Sequence, residues 1–489
     1  MLDTLPYRSM PDGSSARAPA ASAIVTAAYG IPALRILIPT LALLASAASA
    51  QVTLPAPGGD PQRIDFARDA VLGFGRGATP TQAFLERLGK AVETHPAVSA
   101  AVADQQATQA VRTQVRAGLF PRLDAQLVGA RALARDFGDR DAVVESLQPR
   151  GRTDANIVGD QLLWDFGATG QRIAAATDRT RAAQAEVERV AGETALRAVA
   201  AWYDVLGYQT LFEISEASVA RQREILADVK TRVAQGLGAG GDTARTEAVL
   251  ADAEAQNARF ERLLAQARAR YREAFGDDPP PRLTRSLPPT SAAQSLDTAQ
   301  ALARQSPAVQ VALRRAEAAR RDYRAVKADG LPRLSAGVNG TRYDVFTGSD
   351  YEVRGSLVLR QSLFAGGRQR GAVAEAAARS RGEAFIADRV TGETERDAGA
   401  AFTDVQALVR TAGTLETAYI ANRRARDTYV EQFRVSRGTL IELLRAEQAY
   451  VAAASAYLQG IVELDVARYA LLVRTGEILP VVGVKITAL

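Results

Sequence analysis

A glycine pattern near the middle of the chain is the first feature that could do chemistry. The spacing G-x-G-x-x-G at residues 236–241 fits the dinucleotide fingerprint, and a relaxed form stands at residues 73–78. Such glycines bind a pyrophosphate only when they follow a strand and open a helix in a βαβ unit. The first pattern follows a long helical segment and the second lies in a stretch rich in Pro and Gly. Both therefore predict flexible turns.

The remaining residue types offer little for catalysis. The 489 residues include no cysteine and one histidine, His95, which excludes disulfides, thiolate nucleophiles and Cys- or His-rich metal sites. His95 stands before Pro96, a pairing typical of a helix start or kink. Acidic residues are plentiful, but none form a pair with a recognisable acid/base spacing. We predict no catalytic, cofactor or metal site, and a protein that is not an enzyme.

Charge is balanced along the chain. Sixty basic and 55 acidic residues give a formal net charge of +5, without a basic block. This distribution lacks the footprint of a nucleic-acid partner. Hydrophobic residues make up 47% of the chain, which is enough for one large domain or two to three ordinary ones.

The N-terminus indicates export. An apolar run at 36–47 leads to Ala-Ser-Ala directly before Gln51, the small-x-small pattern of a signal-peptide cleavage site. A membrane anchor is the alternative, but the run together with its Ala-Ser-Ala end has about 15 residues and a span needs about 20. We predict a signal peptide at 1–50, cleaved between Ala50 and Gln51. The long lead at 1–30 leaves a start codon further in as an alternative.

Two segments of about 200 residues resemble each other. His95-Pro-Ala-Val matches Ser306-Pro-Ala-Val at an offset of 211, and LWDFG at 163–167 matches LFAGG at 363–367 at an offset of 200. We predict two repeats with the same order of elements: helix, two strands, very long helix, tight turn, helix. The predicted parts are a signal peptide, a linker, repeat one, a second linker, repeat two and a C-terminal tail, at 1–50, 51–80, 81–276, 277–300, 301–479 and 480–489.

Very long helices dominate each repeat. Residues 168–235 contain no proline and carry apolar residues at helical spacing, and 368–435 do the same. About 68 residues at about 1.5 Å each give roughly 100 Å, a length typical of coiled coils and bundles. The helices predicted at 81–118 and 243–275 add up to the same length. We therefore predict long helices flanked by stacked shorter ones, too polar to lie in lipid.

The segments between the helices have the pattern of strands. From Tyr351 to Arg360 apolar and polar residues alternate, which predicts a sheet with one apolar and one wet face. Trp164 and Phe364 at the strand ends suit an interfacial aromatic belt, although plain packing is the alternative. Four strands cannot close a barrel, and lipid does not tolerate open edges, so several chains must share one barrel.

These residues together resemble the TolC family of outer-membrane efflux and secretion proteins over about 81–479. The resemblance lies in motifs that occur twice in the same order: HPAVSAAVADQQATQA with SPAVQVALRRAEAA, AGLFPRL with DGLPRL, and LWDFG with LFAGG, plus the turn EQFRVSRGTLIELLRAEQAY. It implies an α+β fold in a homotrimer, with long antiparallel helices in an α-barrel. Four strands per chain would contribute to a shared twelve-stranded barrel in outer-membrane lipid of a Gram-negative bacterium, with a large periplasmic portion.

The resemblance places function at the two turns, which would close the periplasmic mouth and dock the adaptor. In the family, a Gly followed six residues later by an acid marks each turn. Gly236 and Asp242 keep this pattern, and Ser436 and Glu442 approximate it.

The second turn departs from the family in part. Phe433 and Glu442 fit the family's aromatic residue and first acid, but Gly438 stands where an arginine is expected, with Arg437 beside it. Arg445 replaces the second acid, which puts a double acidic ring and its cation affinity in doubt. We hypothesise that the two turn acids pair with Arg437 or Arg445 to latch the mouth and that docking breaks these pairs. The alternative is that they are solvated turn residues.

The second turn and the later ARYALL resemble the type I secretion branch. The expected function is an exit duct that passes substrate from an inner-membrane ABC transporter and a periplasmic adaptor to the outside. A multidrug or metal efflux duct for a proton-driven pump is the alternative. A soluble periplasmic coiled-coil scaffold, or an adaptor protein, would be a different class.

Overall fold

The computed structural model describes residues 53–58, 60–76, 81–134 and 151–484. The predicted signal peptide and its cleavage site at Ala50 and Gln51 lie outside this range. The described helices are α1 (Ala70–Arg76), α2 (Thr81–Thr94), α3 (Pro96–Ala117), α4 (Ala168–Ala234), α5 (Gly240–Phe275), α6 (Leu296–Ala303), α7 (Pro307–Ala328), α8 (Arg368–Arg434), α9 (Leu440–Arg474) and α10 (Ile478–Val482). The described strands are β1 (Arg122–Arg131), β2 (Gly151–Trp164), β3 (Arg333–Arg342) and β4 (Tyr351–Arg360).

The fold is mainly helical with four antiparallel strands, which agrees with the predicted α+β class. Helices α4 and α8 have 67 residues each, close to the predicted 68. Both begin after a left-handed glycine, Gly167 at φ 83° and Gly367 at φ 86°. Only glycine adopts this backbone freely, so each glycine sets the sharp entry from strand to helix.

The shorter helices stack along the long ones. Helix α4 packs against α3 and α7 and also against α5 and α9, whereas α8 packs against α6, α7 and α9. The helix predicted as continuous at 81–118 is divided at His95. The His95 side chain accepts the Ala97 N–H at 3.2 Å and so caps the start of α3. Pro96 disfavours the helical backbone at the residue before it, which explains the break.

The helical body holds two groups of buried apolar side chains. The larger one contains an aromatic cluster in which the Phe84 and Trp202 rings lie 4.8 Å apart and Tyr203 and Tyr469 are fully buried. The smaller one lies where α4, α8 and α9 approach the turns and consists of Ile225, Val229, Val430, Leu440, Leu443 and Leu444. Among the described residues, no helix is long and apolar enough to cross a membrane.

The two segments predicted as linkers pack onto the body. In the first, α1 buries Val71, Leu72 and Phe74. In the second, Arg285 forms a bidentate ion pair with Asp465 of α9, with Nε–Oδ2 at 2.6 Å and Nη2–Oδ1 at 3.0 Å. Their Pro and Gly content predicts linkers but reveals neither helix α1 nor these buried partners, which come from distant helices.

The four strands form one antiparallel sheet in the order β1-β2-β3-β4. Leu334 pairs with Leu359 across β3 and β4, and the β2–β3 register shifts between Leu162 and Trp164. The extra residue at this bulge bends the strand near the helical end of the sheet. Within the described part of one chain, β1 and β4 are the sheet edges and have no strand on their outer side.

Candidate functional site

One face of the sheet is an exposed apolar surface. Pairing across the strands brings Leu123 of β1, Ile157 of β2 and Val338 of β3 to the same side as Leu357 of β4. Leu123 and Leu357 are each 74% exposed, and Tyr351 is 77% exposed. A contiguous apolar face of this kind marks a membrane or protein contact surface. We call it the apolar face; its large side chains are Leu123, Leu127, Ile157, Leu334, Val338, Tyr351, Val353, Leu357 and Leu359.

The opposite side of the sheet is polar. Arg122 and Asp124 of β1 form an ion pair at 2.8 Å, and Arg354 and Glu352 of β4 form another at 2.6 Å. Alternation along each strand makes one face mainly apolar and the other mainly polar. The exceptions include Arg131 and Arg342 on the apolar face and Val128, Val158 and Val358 on the polar side. A sheet that meets lipid on one side and water on the other has this arrangement.

Aromatic side chains surround the junction of sheet and helices. Trp164 is 59% exposed and contacts the Phe166 ring at a centroid distance of 5.9 Å, while Phe364 is 89% exposed. Such exposure suits the predicted interfacial belt better than packing, because a packed aromatic would be buried.

The two turns close with the same backbone geometry. Leu237 N donates to the carbonyl oxygen five positions earlier at 2.9 Å, and Arg437 N does the same at 2.8 Å. The residue before each donor has a left-handed backbone: Gly236 at φ 74° and Ser436 at φ 57°. The serine carries a Cβ, which costs about 1–2 kcal/mol in this conformation. The second turn thus has the same backbone geometry as the first, but with backbone strain at Ser436.

The turn acids cap their own helices. Asp242 Oδ2 accepts the Ala239 N–H at 3.2 Å, and Glu442 Oε2 accepts the Thr439 N–H at 3.0 Å. The hydrogen bond from the Thr439 backbone N–H stabilises the Glu442 carboxylate and holds its pKa below the usual range, and the Thr439 hydroxyl contributes less to the same effect. Among the described residues of one chain, neither acid forms the hypothesised ion pair with Arg437 or Arg445. The hypothesised latch of the mouth stays a prediction.

Arg232 lies in the last turn of helix α4, next to the first connecting turn, and the sequence did not indicate a role for it. Its guanidinium lies 4.2 Å from the centre of the Phe433 ring, and Nη2 donates to the Phe433 carbonyl oxygen at 3.1 Å. This contact joins the last turn of α4 to the last turn of α8. No spacing in a single sequence marks it, because its partner lies 201 positions away.

An exposed apolar sheet face beside long paired helices is typical of a protein that contacts lipid or a partner through its strands. Residues 88–277 match the family model of the outer membrane efflux proteins. The chain is 23% identical over 327 residues to the outer membrane efflux protein BepC of Brucella suis, an alignment that covers 65% of this chain and 71% of that protein.

Solved structures have the same fold. The outer membrane protein VceC of Vibrio cholerae is similar with a TM-score of 0.70 at 19% identity, over 81% of this chain and 96% of that one. The open MtrE channel of Neisseria gonorrhoeae gives a TM-score of 0.68 at 16% identity, over 80% of this chain and 88% of that one. Part of the chain, residues 88–277, thus matches the outer membrane efflux protein family, and the location of the protein is the outer membrane, with a large periplasmic helical portion.

Proposed function

We propose that this chain is the exit duct of a tripartite export system and that three copies complete one barrel. The supporting observation is the sheet, which combines an exposed apolar face with two unpaired edges in the described chain. Unpaired backbone groups are costly in lipid, so β4 of one copy pairs with β1 of the next. The exposed apolar face also argues against a soluble scaffold, which would have to leave it in water.

The turns at the far end of α4 and α8 form the aperture and the docking surface for the periplasmic adaptor. Leu237 at the first turn is 74% exposed and Val435 at the second is 61% exposed. Exposed apolar residues beside a strained or glycine-containing turn suit a docking contact with the adaptor that forms and breaks. The residues that we assign to this aperture are Gly236, Asp242, Phe433, Ser436, Arg437, Glu442 and Arg445, and we add Arg232 because it contacts Phe433.

The resemblance of the second turn to the type I secretion branch favours an ABC transporter and protein cargo. The second candidate is a drug or metal efflux duct for a proton-driven pump. It is supported by the similarity to BepC, which is itself described as an efflux protein. Neither candidate requires a cofactor or catalysis by this chain.

The mass of the detergent-extracted outer-membrane protein, measured by light scattering and corrected for bound detergent, tests the shared barrel. We expect a trimer. A monomer, or extraction without detergent, would overturn the duct.

A photo-crosslinking residue at Leu237 then tests the docking surface in intact cells. The expected adduct is an adaptor encoded with an ABC transporter; an adaptor of a proton-driven pump would select the second candidate instead. Phe385 on α8 is 70% exposed and serves as the matched control. Equal adducts at both positions would refute docking at the turns.

A further inference from the structure

Two arginines stand opposite each other at the helical end of the sheet. Arg333 opens β3, Arg360 closes β4, and the two are direct partners in the strand register. Directly opposed residues have Cα atoms about 4.5–5.5 Å apart, so two like charges here repel each other. Such a pair is unfavourable unless something negative lies between or above the guanidinium groups.

The neighbouring carboxylates are already engaged. Arg172 donates to Asp329, and Asp165 accepts the N–H groups of Gly167 at 3.1 Å and Thr169 at 2.8 Å. Burial raises the pKa of Asp165, but these hydrogen bonds and the charge of Arg333 outweigh it and hold the pKa below its usual range. Apart from the backbone pairing of their strands, the side chains of Arg333 and Arg360 form no hydrogen bond or ion pair with a described residue of the chain.

A cavity of about 400 Å³ opens between these groups. It is lined by Arg333 and Arg360 together with Asp165, Arg172, Asp329 and Gln361. Three arginines against two acids leave a positive balance, and Gln361 adds an amide that can donate. The space is ample for a phosphate or carboxylate group, and a pair of guanidinium groups matches the oxygen geometry of such an anion.

We propose that Arg333 and Arg360 bind an oxyanion, a phosphate or carboxylate group carried by a solute in the duct. This assignment rests on the proposed trimeric duct, in which three copies would place six arginines around the base of the barrel. The site would then favour the passage of anionic solutes where the duct changes from its helical part to the barrel.

The source of the oxyanion follows from the faces of the sheet. Alternation places Arg333 and Arg360 on the polar side, opposite to Leu334 and Leu359 on the apolar face. A phospholipid head group at the apolar face would approach from the wrong side of the sheet. A solute on the polar side meets both guanidinium groups directly.

Calorimetric titration of the detergent-solubilised trimer with inorganic pyrophosphate at low ionic strength tests the site. We expect saturable binding to the unchanged protein and at least a tenfold loss of affinity in the double variant Arg333→Gln/Arg360→Gln. The control is Arg354→Gln, which removes one charge from the same face of β4 but from an arginine already paired with Glu352. Its affinity should change less than twofold.

Light scattering of each variant separates the possible failures. A trimer that does not bind pyrophosphate refutes the site and leaves the duct intact, whereas absence of a trimer refutes the duct. An equal loss in Arg354→Gln would mean a diffuse charge effect and overturn the site. Loss of the trimer in the double variant alone would show that these arginines pair with a neighbouring copy, which also overturns it. Displacement of pyrophosphate by dihexanoyl phosphatidylglycerol would contradict the proposal that the oxyanion belongs to a solute, because a lipid head group would then occupy the site.

Discussion

The sheet and the helical body orient their apolar residues in opposite directions. In the body, Tyr203 and Leu458 are almost completely buried and most charges lie in water. In the sheet, Leu357 and Tyr351 are exposed on one face and most charges lie on the other. This contrast is what the proposed barrel in lipid requires, and it makes the effect of a charge depend on which part of the molecule carries it.

The largest expected effect comes from breaking the buried ion pair of the body. Asp465 is fully buried and Arg285 is 5% exposed. Asp465→Ala leaves the guanidinium buried without its partner, which should lower the free energy of unfolding by about 3–5 kcal/mol. Thermal unfolding followed by circular dichroism at equal detergent concentration measures the change.

Two controls sharpen this prediction. Asp204→Ala breaks an ion pair with Arg270 whose side chains are both substantially exposed, and such pairs contribute at most about 1 kcal/mol. Replacing both Arg285 and Asp465 with apolar residues of similar volume should cost much less than Asp465→Ala. If the exposed and buried single variants lost equal stability, the contrast between the interior and surface of the body would be wrong.

A smaller effect is expected from a charge on the apolar face of the sheet. Leu357→Arg places a guanidinium toward lipid, which should cost about 2–4 kcal/mol near the middle of a bilayer. Ser356→Arg is the matched control, because the neighbouring residue points to the polar face. The yield of assembled trimer in outer membranes reports the difference. Equal yields for the two variants would refute lipid contact by the apolar face.

The smallest expected effect concerns the exposed carboxylate of Glu442 at the start of α9. The pKa of Glu442 is lowered in the folded protein by the Thr439 hydrogen bonds, so its stabilising contribution is present above the unfolded carboxyl pKa. That contribution is lost as the pH falls through the lower folded pKa. The protection of the amides at the start of α9, measured as the exchange rate relative to the intrinsic rate at each pH, should therefore fall in acid. Glu442→Gln should remove this pH dependence, and an unchanged profile would exclude the cap as its cause.

Local sequence patterns predicted most of the secondary structure. The ends of α4 and α8 lie within one residue of the predicted ends, because the absence of proline and the helical apolar spacing act over one helix. The alternation in Tyr351–Arg360 predicted the two faces of β4 for the same reason. The His95-Pro96 pair indicated a helix start or kink, which the backbone geometry at His95 confirms, although 81–118 was predicted as one helix. The packing of 53–76 was not predicted, because it depends on distant partners.

The candidate site could be predicted only in part. The positions of the turns followed from spacing, and Gly236 and Ser436 share the turn geometry that the pattern indicates. The roles of Asp242 and Glu442 as helix caps, by contrast, became clear only from hydrogen-bond geometry. A carboxylate beside a helix start has a backbone partner available locally, which competes with any ion pair across the turn.

The sequence by itself determined the features that repeat over short distances: long helices, alternating strands, turn positions and the absence of cysteine chemistry. The tertiary structure decided which charges meet. Arg232 reaches Phe433, Arg285 reaches Asp465, and Arg333 faces Arg360 across the sheet. Periodicity reports the face of one element, whereas a contact between residues far apart in sequence depends on how the elements pack, which no local pattern contains.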